Sequence, residues 1–149
     1  MSFIYLFLKH THSGLRWFAL FFLVGVVLNS GFRYFANREY RSLDQKMGLV
    51  TMSIIHVQLL LGLILYFISP KVIFSAQSMS NDLLRFFLVE HSSLMLLSII
   101  LITVGYIQSK KAQTMRAKHL RLFIFYGTGL LILLFSIPWP WRGLGGGWI

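Results

Sequence analysis

Four long runs of apolar residues, separated by short polar stretches, dominate the chain. Each run has about the 20 residues that an α-helix needs to cross a bilayer at about 1.5 Å per residue. They predict membrane-spanning helices at about residues 3–32, 47–68, 83–108 and 119–137. We therefore expect residues 1–149 to form a single all-α transmembrane domain, an integral membrane four-helix up-down bundle.

Composition supports this interpretation and narrows the chemistry. Hydrophobic residues make up 56% of the chain and charged residues 12%, a balance that a soluble domain of this size does not need. The chain has no cysteine, which excludes disulfides, thiolate-bound iron–sulfur clusters and covalently attached c-type haem. Any redox centre would have histidine or methionine as its ligands.

The net charge of +10 is concentrated in the first and third connections between helices. These basic residues are Arg33, Arg38, Arg41, Lys46, Lys110, Lys111, Arg116, Lys118 and Arg121. The second connection contains only Lys71, and this asymmetry matches the positive-inside rule. It predicts a multi-pass protein of the bacterial inner membrane, N-out and C-out, with both termini periplasmic. The basic connections would meet anionic lipid of the bilayer, so we expect no nucleic-acid partner.

Five histidines, His10, His12, His56, His91 and His119, are distributed over the four predicted helices. Helical bundles build cofactor sites from side chains on facing helices. Counted from the cytoplasmic end of its helix, His12 lies at roughly 31 Å and His91 at roughly 28 Å. These two could share one cofactor, since parallel helices one and three can lie diagonally across the bundle. His56, at roughly 15 Å, and His119, almost at the inner face, match poorly.

The residues around the first pair suit a flat macrocycle. The face of helix three that carries His91 comprises His91, Met95, Ser98, Ile102 and Gly105. Ser13, Gly14, Ser92 and Ser93 are small enough to leave room beside the histidines. Arg16, Lys9 or Arg85 could pair with haem propionates near the outer surface. Two axial histidines leave iron no open position, which favours electron transfer over oxygen chemistry.

Structural explanations compete with each functional one. His10 fits an interfacial polar anchor, His119 a basic lipid-facing rim, and His56 a side chain satisfied by Gln58 or a backbone carbonyl. Glu90 is better explained by pairing with Arg85 or Arg16 than by accepting a proton from a quinol. Zinc or copper at His10 and His12 is disfavoured, because these residues diverge on a helix.

Three further features are read from the sequence. We expect Ser80 to be the N-cap of helix three. Gly62, Gly105, Gly127 and Gly129 would permit close helix contact, within the bundle or between protomers. The glycine-rich tail after Pro138 resembles no phosphate loop. It is expected to be a flexible end, with a docked role left open.

Several segments together resemble a known family. They are residues 10–17, 56–67, 89–91, 118–119 and 137–140. They resemble small bacterial membrane proteins commonly labelled cytochrome B, over nearly the whole chain, and the four-helix core of transmembrane di-haem cytochromes b. The resemblance implies that His12 pairs with His91 and that His56 pairs with His119. The depth mismatch puts the second pair in doubt and favours one haem b over two.

The functional expectation is a b-type cytochrome-like electron-transfer protein of a respiratory membrane. It would be an electron carrier or oxidoreductase subunit rather than a stand-alone enzyme, with quinol or a redox protein as partner and quinone as a further candidate ligand. The alternative is a haem-free small subunit of a larger respiratory, transport or secretion complex. A proton or ion carrier is weaker, since four short helices enclose little cavity. Both a homo-oligomer and a larger assembly stay open.

Overall fold

The computed structural model describes residues 3–148, and this part of the chain is helical with no strand. The long helices are α1 (Phe3–Phe35), α2 (Ser42–Ile68), α3 (Asp82–Lys111) and α4 (Met115–Ser136). All four are long and apolar enough to cross a membrane. The all-α prediction and the four spans are confirmed, and the fold is that of a multi-pass membrane protein. Two short 3₁₀ turns, Ala76–Ser80 and Pro140–Arg142, lie in the connection before α3 and after α4.

The helices extend further toward the basic connections than the apolar runs predicted. α2 begins five residues earlier than expected, where Asp44 accepts a hydrogen bond from the backbone N–H of Arg41 at 2.8 Å. α4 begins four residues earlier, where the Thr114 hydroxyl accepts from the N–H of Ala117 at 3.1 Å. Side chains that satisfy the free N–H groups of a first turn stabilise a helix start regardless of hydropathy.

Helix α3 changes its pitch just before His91. Its N-cap is Asn81 rather than Ser80, since the Asn81 side chain accepts from the N–H of Leu84 at 3.0 Å. Phe86–Glu90 forms a π-helical segment, and the regular α-helix resumes at His91. Such π segments are rare and occur frequently at functional sites.

Each helix packs against two neighbours. α1 contacts α2 and α4, and α3 contacts the same two helices, so α1 and α3 lie diagonally across the bundle as predicted. Neighbours run antiparallel. Between α3 and α4, Ser98 donates to the carbonyl of Gly129 at 2.7 Å, and Ser109 donates to that of Lys118 at 3.0 Å. The bundle is therefore up-down, with α1 and α3 parallel.

Small residues bring the helices close within one chain. A side chain at Gly105 would overlap the Cβ of Phe125, and a Cβ at Gly129 would lie 2.7 Å from Ile102. At Gly127 the nearest atom, on Val27, is an ordinary 3.8 Å away. Gly105 and Gly129 therefore serve contact between α3 and α4.

Candidate functional site

A cavity of about 360 Å³ opens between α1, α2 and α3, at the end of the bundle that carries the C-terminal tail. Its size is at the lower end of small-molecule pockets, which span about 300–1,000 Å³. The wall is mainly apolar, but His12, Arg16, Gln58, Lys71 and His91 also line it. The predicted histidine pair, from two diagonal helices, is thus brought to one cavity.

His91 is oriented by a backbone partner. Its Nδ1 lies 2.8 Å from the carbonyl oxygen of Ser136 on α4. A carbonyl only accepts, so Nδ1 carries the proton and Nε2 keeps its lone pair. The rings of Phe86 and Phe87, from the π segment, lie 5.8 and 6.0 Å from the imidazole. The imidazole of His91 lines the cavity.

His12 approaches the cavity from α1. Its Nδ1 is buried and has no hydrogen-bond partner in the described part of the chain. Gln58 on α2 donates to the backbone carbonyl of His12 at 2.8 Å. A Cβ at position 62 would lie only 3.2 Å from Cε1 of His12, so Gly62 makes room for the imidazole. The sequence singled out Gly62 for helix contact but did not connect it with this ring.

His56 has a structural role. Its Nδ1 donates to the carbonyl of Met52, one turn earlier, at 2.8 Å. Its Nε2 lies 3.4 Å from the hydroxyl of Thr103 on α3. This matches the alternative in which a backbone carbonyl satisfies the ring, and His56 does not line the cavity.

His119 lies at the other end of the bundle. It is fully buried, so the alternative that it belongs to a lipid-facing rim is wrong. Its ring packs 5.0 Å from that of Tyr40. Tyr40 comes just before α2 begins at Ser42, whereas His56 lies about 21 Å further along that helix at 1.5 Å per residue. The structure therefore does not bring His56 and His119 to one level, and the second pair implied by the resemblance is not assembled. Both ring nitrogens of His119 lack a hydrogen bond within the described residues.

Arg16 is buried under the C-terminal tail. It is 8% exposed, and its Nη2 donates to the carbonyls of Gly147 and Trp148 at 3.2 and 3.0 Å. The indole N–H of Trp17 donates to the same carbonyl of Trp148 at 2.8 Å, and the two indoles stack at 6.3 Å. The tail is docked on the bundle, so the expectation of a flexible end is wrong for the described residues.

Lys71, in the connection between α2 and α3, also contacts the tail. Its ammonium donates to the carbonyl of Gly145 at 2.8 Å. Gly145 has a φ of +62°, which favours glycine, and a side chain at Gly146 would collide with the carbonyl of Pro138. Burial first, and then the charge of Lys9, lower the pKa of Lys71.

The remaining candidates have structural partners or none. Glu90 accepts from Arg85 at 2.8 Å, which confirms that it pairs structurally. His10 is exposed and does not line the cavity. In the described part of the chain, no group of three or more histidine or acidic side chains could hold a metal ion.

No family model, curated protein or solved structure matches the chain. The fold and the cavity define a class: a multi-pass helical membrane protein in which two imidazoles line a cavity at one end of the bundle. Cytochrome character stays a prediction from the sequence resemblance.

Proposed function

We propose that the protein is a b-type cytochrome-like electron-transfer protein that holds one haem b between His12 and His91. The observation that carries this proposal is the pair of imidazoles from diagonal helices that line one cavity. Nδ1 of His12 is buried without a hydrogen-bond partner among the described residues, and the Nδ1 contact of His91 leaves the lone pair on its Nε2. A buried polar atom without a hydrogen bond is destabilising by about 1–3 kcal/mol. Ligation would satisfy such atoms.

The residues fit the group. Axial histidines commonly donate their second ring N–H to a carbonyl, which orients the ring and raises its basicity; His91 makes this contact with Ser136. Gly62 leaves room for the imidazole of His12, and the small side chain of Ser92 lines the cavity beside His91. Arg16 borders the same cavity, where a cation complements a carboxylate. When bound, haem would supply a one-electron centre, and the chain would position it and exclude water.

The proposed orientation follows the charge. The basic connections at Arg38 and Lys111 would face the cytoplasm and the cavity would lie near the periplasmic side of the bacterial inner membrane. Quinol or a redox protein would then be the electron donor or acceptor, with a quinone site, a homo-oligomer or a larger complex left to experiment. Because His56 and His119 lie at different levels, we propose one haem and not two.

Haem stoichiometry tests the proposal. Protein purified from haem-replete cells should show a Soret band and a reduced α-band, with one haem per chain by pyridine hemochrome assay. His12→Ala and His91→Ala should each lose the spectrum. His56→Ala is the matched control, since it removes an imidazole that lies outside the cavity, and it should retain the haem.

Two outcomes would overturn the assignment. Full haem content in both His12→Ala and His91→Ala would place the iron elsewhere. A colourless, well-folded protein from haem-replete cells would favour the haem-free small subunit instead.

A further inference from the structure

Within residues 3–148, the cavity is lined by cations without counter-charges. Lys9, Arg16 and Lys71 border it, and none of the lining residues that the structure describes is acidic. The ion pairs of the described chain join Arg33 or Arg85 to carboxylates elsewhere. Charge that is removed from water without an opposite partner is destabilising. This end of the cavity therefore favours an anion.

Backbone carbonyls of the tail, which are neutral, contact two of these cations. Lys71 donates to the carbonyl of Gly145, and Arg16 donates to those of Gly147 and Trp148. A carbonyl supplies a lone pair but no net charge, and the buried Nε of Arg16 has no hydrogen-bond partner among residues 3–148. A carboxylate would add a Coulomb attraction that the carbonyls of residues 144–148 do not supply.

We propose that Arg16 and Lys71 form a subsite for the carboxylates of a largely apolar ligand, and that the tail 144–148 occupies this subsite until the ligand displaces it. The identity of the ligand as haem rests on the proposed function, but the subsite is defined by charge and not by iron. The same chemistry could come from an anionic lipid headgroup, so the tests separate the two sources.

The contacts of the tail 144–148 are of a kind that a ligand could displace. Trp148 is 55% exposed, and apart from its stacking on Trp17 and a tilted contact with Trp141, the described tail is attached chiefly through carbonyl oxygens. Exchange needs no change in the packed seam between the helices. The ligand body would lie in the apolar part of the cavity and its carboxylates at the mouth.

The first experiment compares metal-free protoporphyrin IX with its dimethyl ester in nanodiscs of zwitterionic lipid, followed by porphyrin fluorescence. The diacid is expected to bind at least tenfold more tightly than the diester. In the double variant Arg16→Gln, Lys71→Gln this preference should disappear. Arg121→Gln is the control, because it removes an exposed cation outside the cavity.

Equal binding of diacid and diester by the wild type would overturn the subsite, and so would a preference that survives in the double variant. Neither porphyrin contains iron, so neither result depends on histidine ligation. A protein that prefers the diacid but binds no haem would refute the proposed function alone.

The second experiment follows the tail. Carboxypeptidase should digest it faster when the diacid is saturating, but not when the diester is added. Gly146→Ala, whose Cβ would collide with Pro138, should free the tail and tighten diacid binding several-fold. Gly25→Ala, a glycine with open space around it, should match the wild type.

A tail that stays protected in saturating diacid would overturn the exchange. Weaker diacid binding in Gly146→Ala would do the same, since it would make the tail a wall of the site and not a competitor. If phosphatidylglycerol nanodiscs release the tail without porphyrin, the subsite binds a lipid headgroup. That result would refute a macrocycle as its ligand.

Discussion

Replacing His91 with asparagine separates two roles of its imidazole. Nδ1 donates to the carbonyl of Ser136 and joins α3 to α4, whereas Nε2 is the iron ligand that we propose. An asparagine amide N–H₂ can occupy the position of Nδ1 and donate to the same carbonyl, but it places no atom near Nε2. His91→Asn should therefore keep the helix contact and lose the haem.

The magnitude follows from the contacts that each variant loses. A hydrogen bond between membrane helices contributes about 0.6 kcal/mol on average, and one in a soluble protein about 0.5–1.5 kcal/mol. His91→Ala loses this bond and also the packing of the ring against Phe86 and Phe87, together about 2–3 kcal/mol. His91→Asn should recover about 0.6–1.5 kcal/mol of that loss through the bond to Ser136.

The assay is reversible unfolding of the haem-free protein in SDS, followed by circular dichroism, with pyridine hemochrome on haem-replete samples. We expect stability to decrease from wild type to His91→Asn to His91→Ala, and haem to be absent from both variants. If the asparagine variant is no more stable than the alanine variant, the contact with Ser136 does not join the helices. If it retains the wild-type haem spectrum, His91 is not an axial ligand.

Two further substitutions test the bundle by the same SDS unfolding. Gly105→Ala should be destabilising by about 1–3 kcal/mol, because its Cβ would overlap that of Phe125. The control Gly25→Ala, which has open space around it, should stay within about 1 kcal/mol of wild type. Equal stability of the two variants would contradict the close packing of α3 and α4. Asp44→Asn should be destabilising by about 3 kcal/mol, since Asp44 is 3% exposed and pairs with Arg33 at 3.2 Å. An unchanged midpoint for that variant would show that the pair does not stabilise the bundle.

The helices were predictable because lipid imposes a length on every span. The first residues of the helices were harder to predict. Asp44 and Thr114 are polar and lower the hydropathy of a predicted span, although both stabilise the first turn of a helix. The π segment Phe86–Glu90 could not be read from its residues. Nothing in that apolar run distinguishes a π-helix from an α-helix before the packing is known.

The candidate site was predictable only in part. Equal depth on parallel helices identified His12 and His91, because helical rise converts sequence position into height. The role of the tail was missed, since Arg16 and Trp148 meet across 132 positions of sequence. The available signal was the set of tryptophans and glycines after Pro138, which suit stacking and backbone contact better than a free end.

The two ends of the bundle treat buried charge differently, and this difference supports a ligand at one of them. At the basic end, the carboxylate of Asp44 accepts a hydrogen bond from Asn29 and forms an ion pair with Arg33. The buried negative charge is therefore paired within the chain. At the other end, Arg16 and Lys71 border a cavity whose described lining contains no acidic residue. Their contacts within the described residues are with neutral groups, namely backbone carbonyls and aromatic rings. Within the described residues, then, buried charge is paired at one end of the bundle and unpaired at the other, as expected if a ligand supplies the anion. His12 and His91 line the same cavity as those cations, and this arrangement suits the proposed ligand, which carries both a metal and carboxylates.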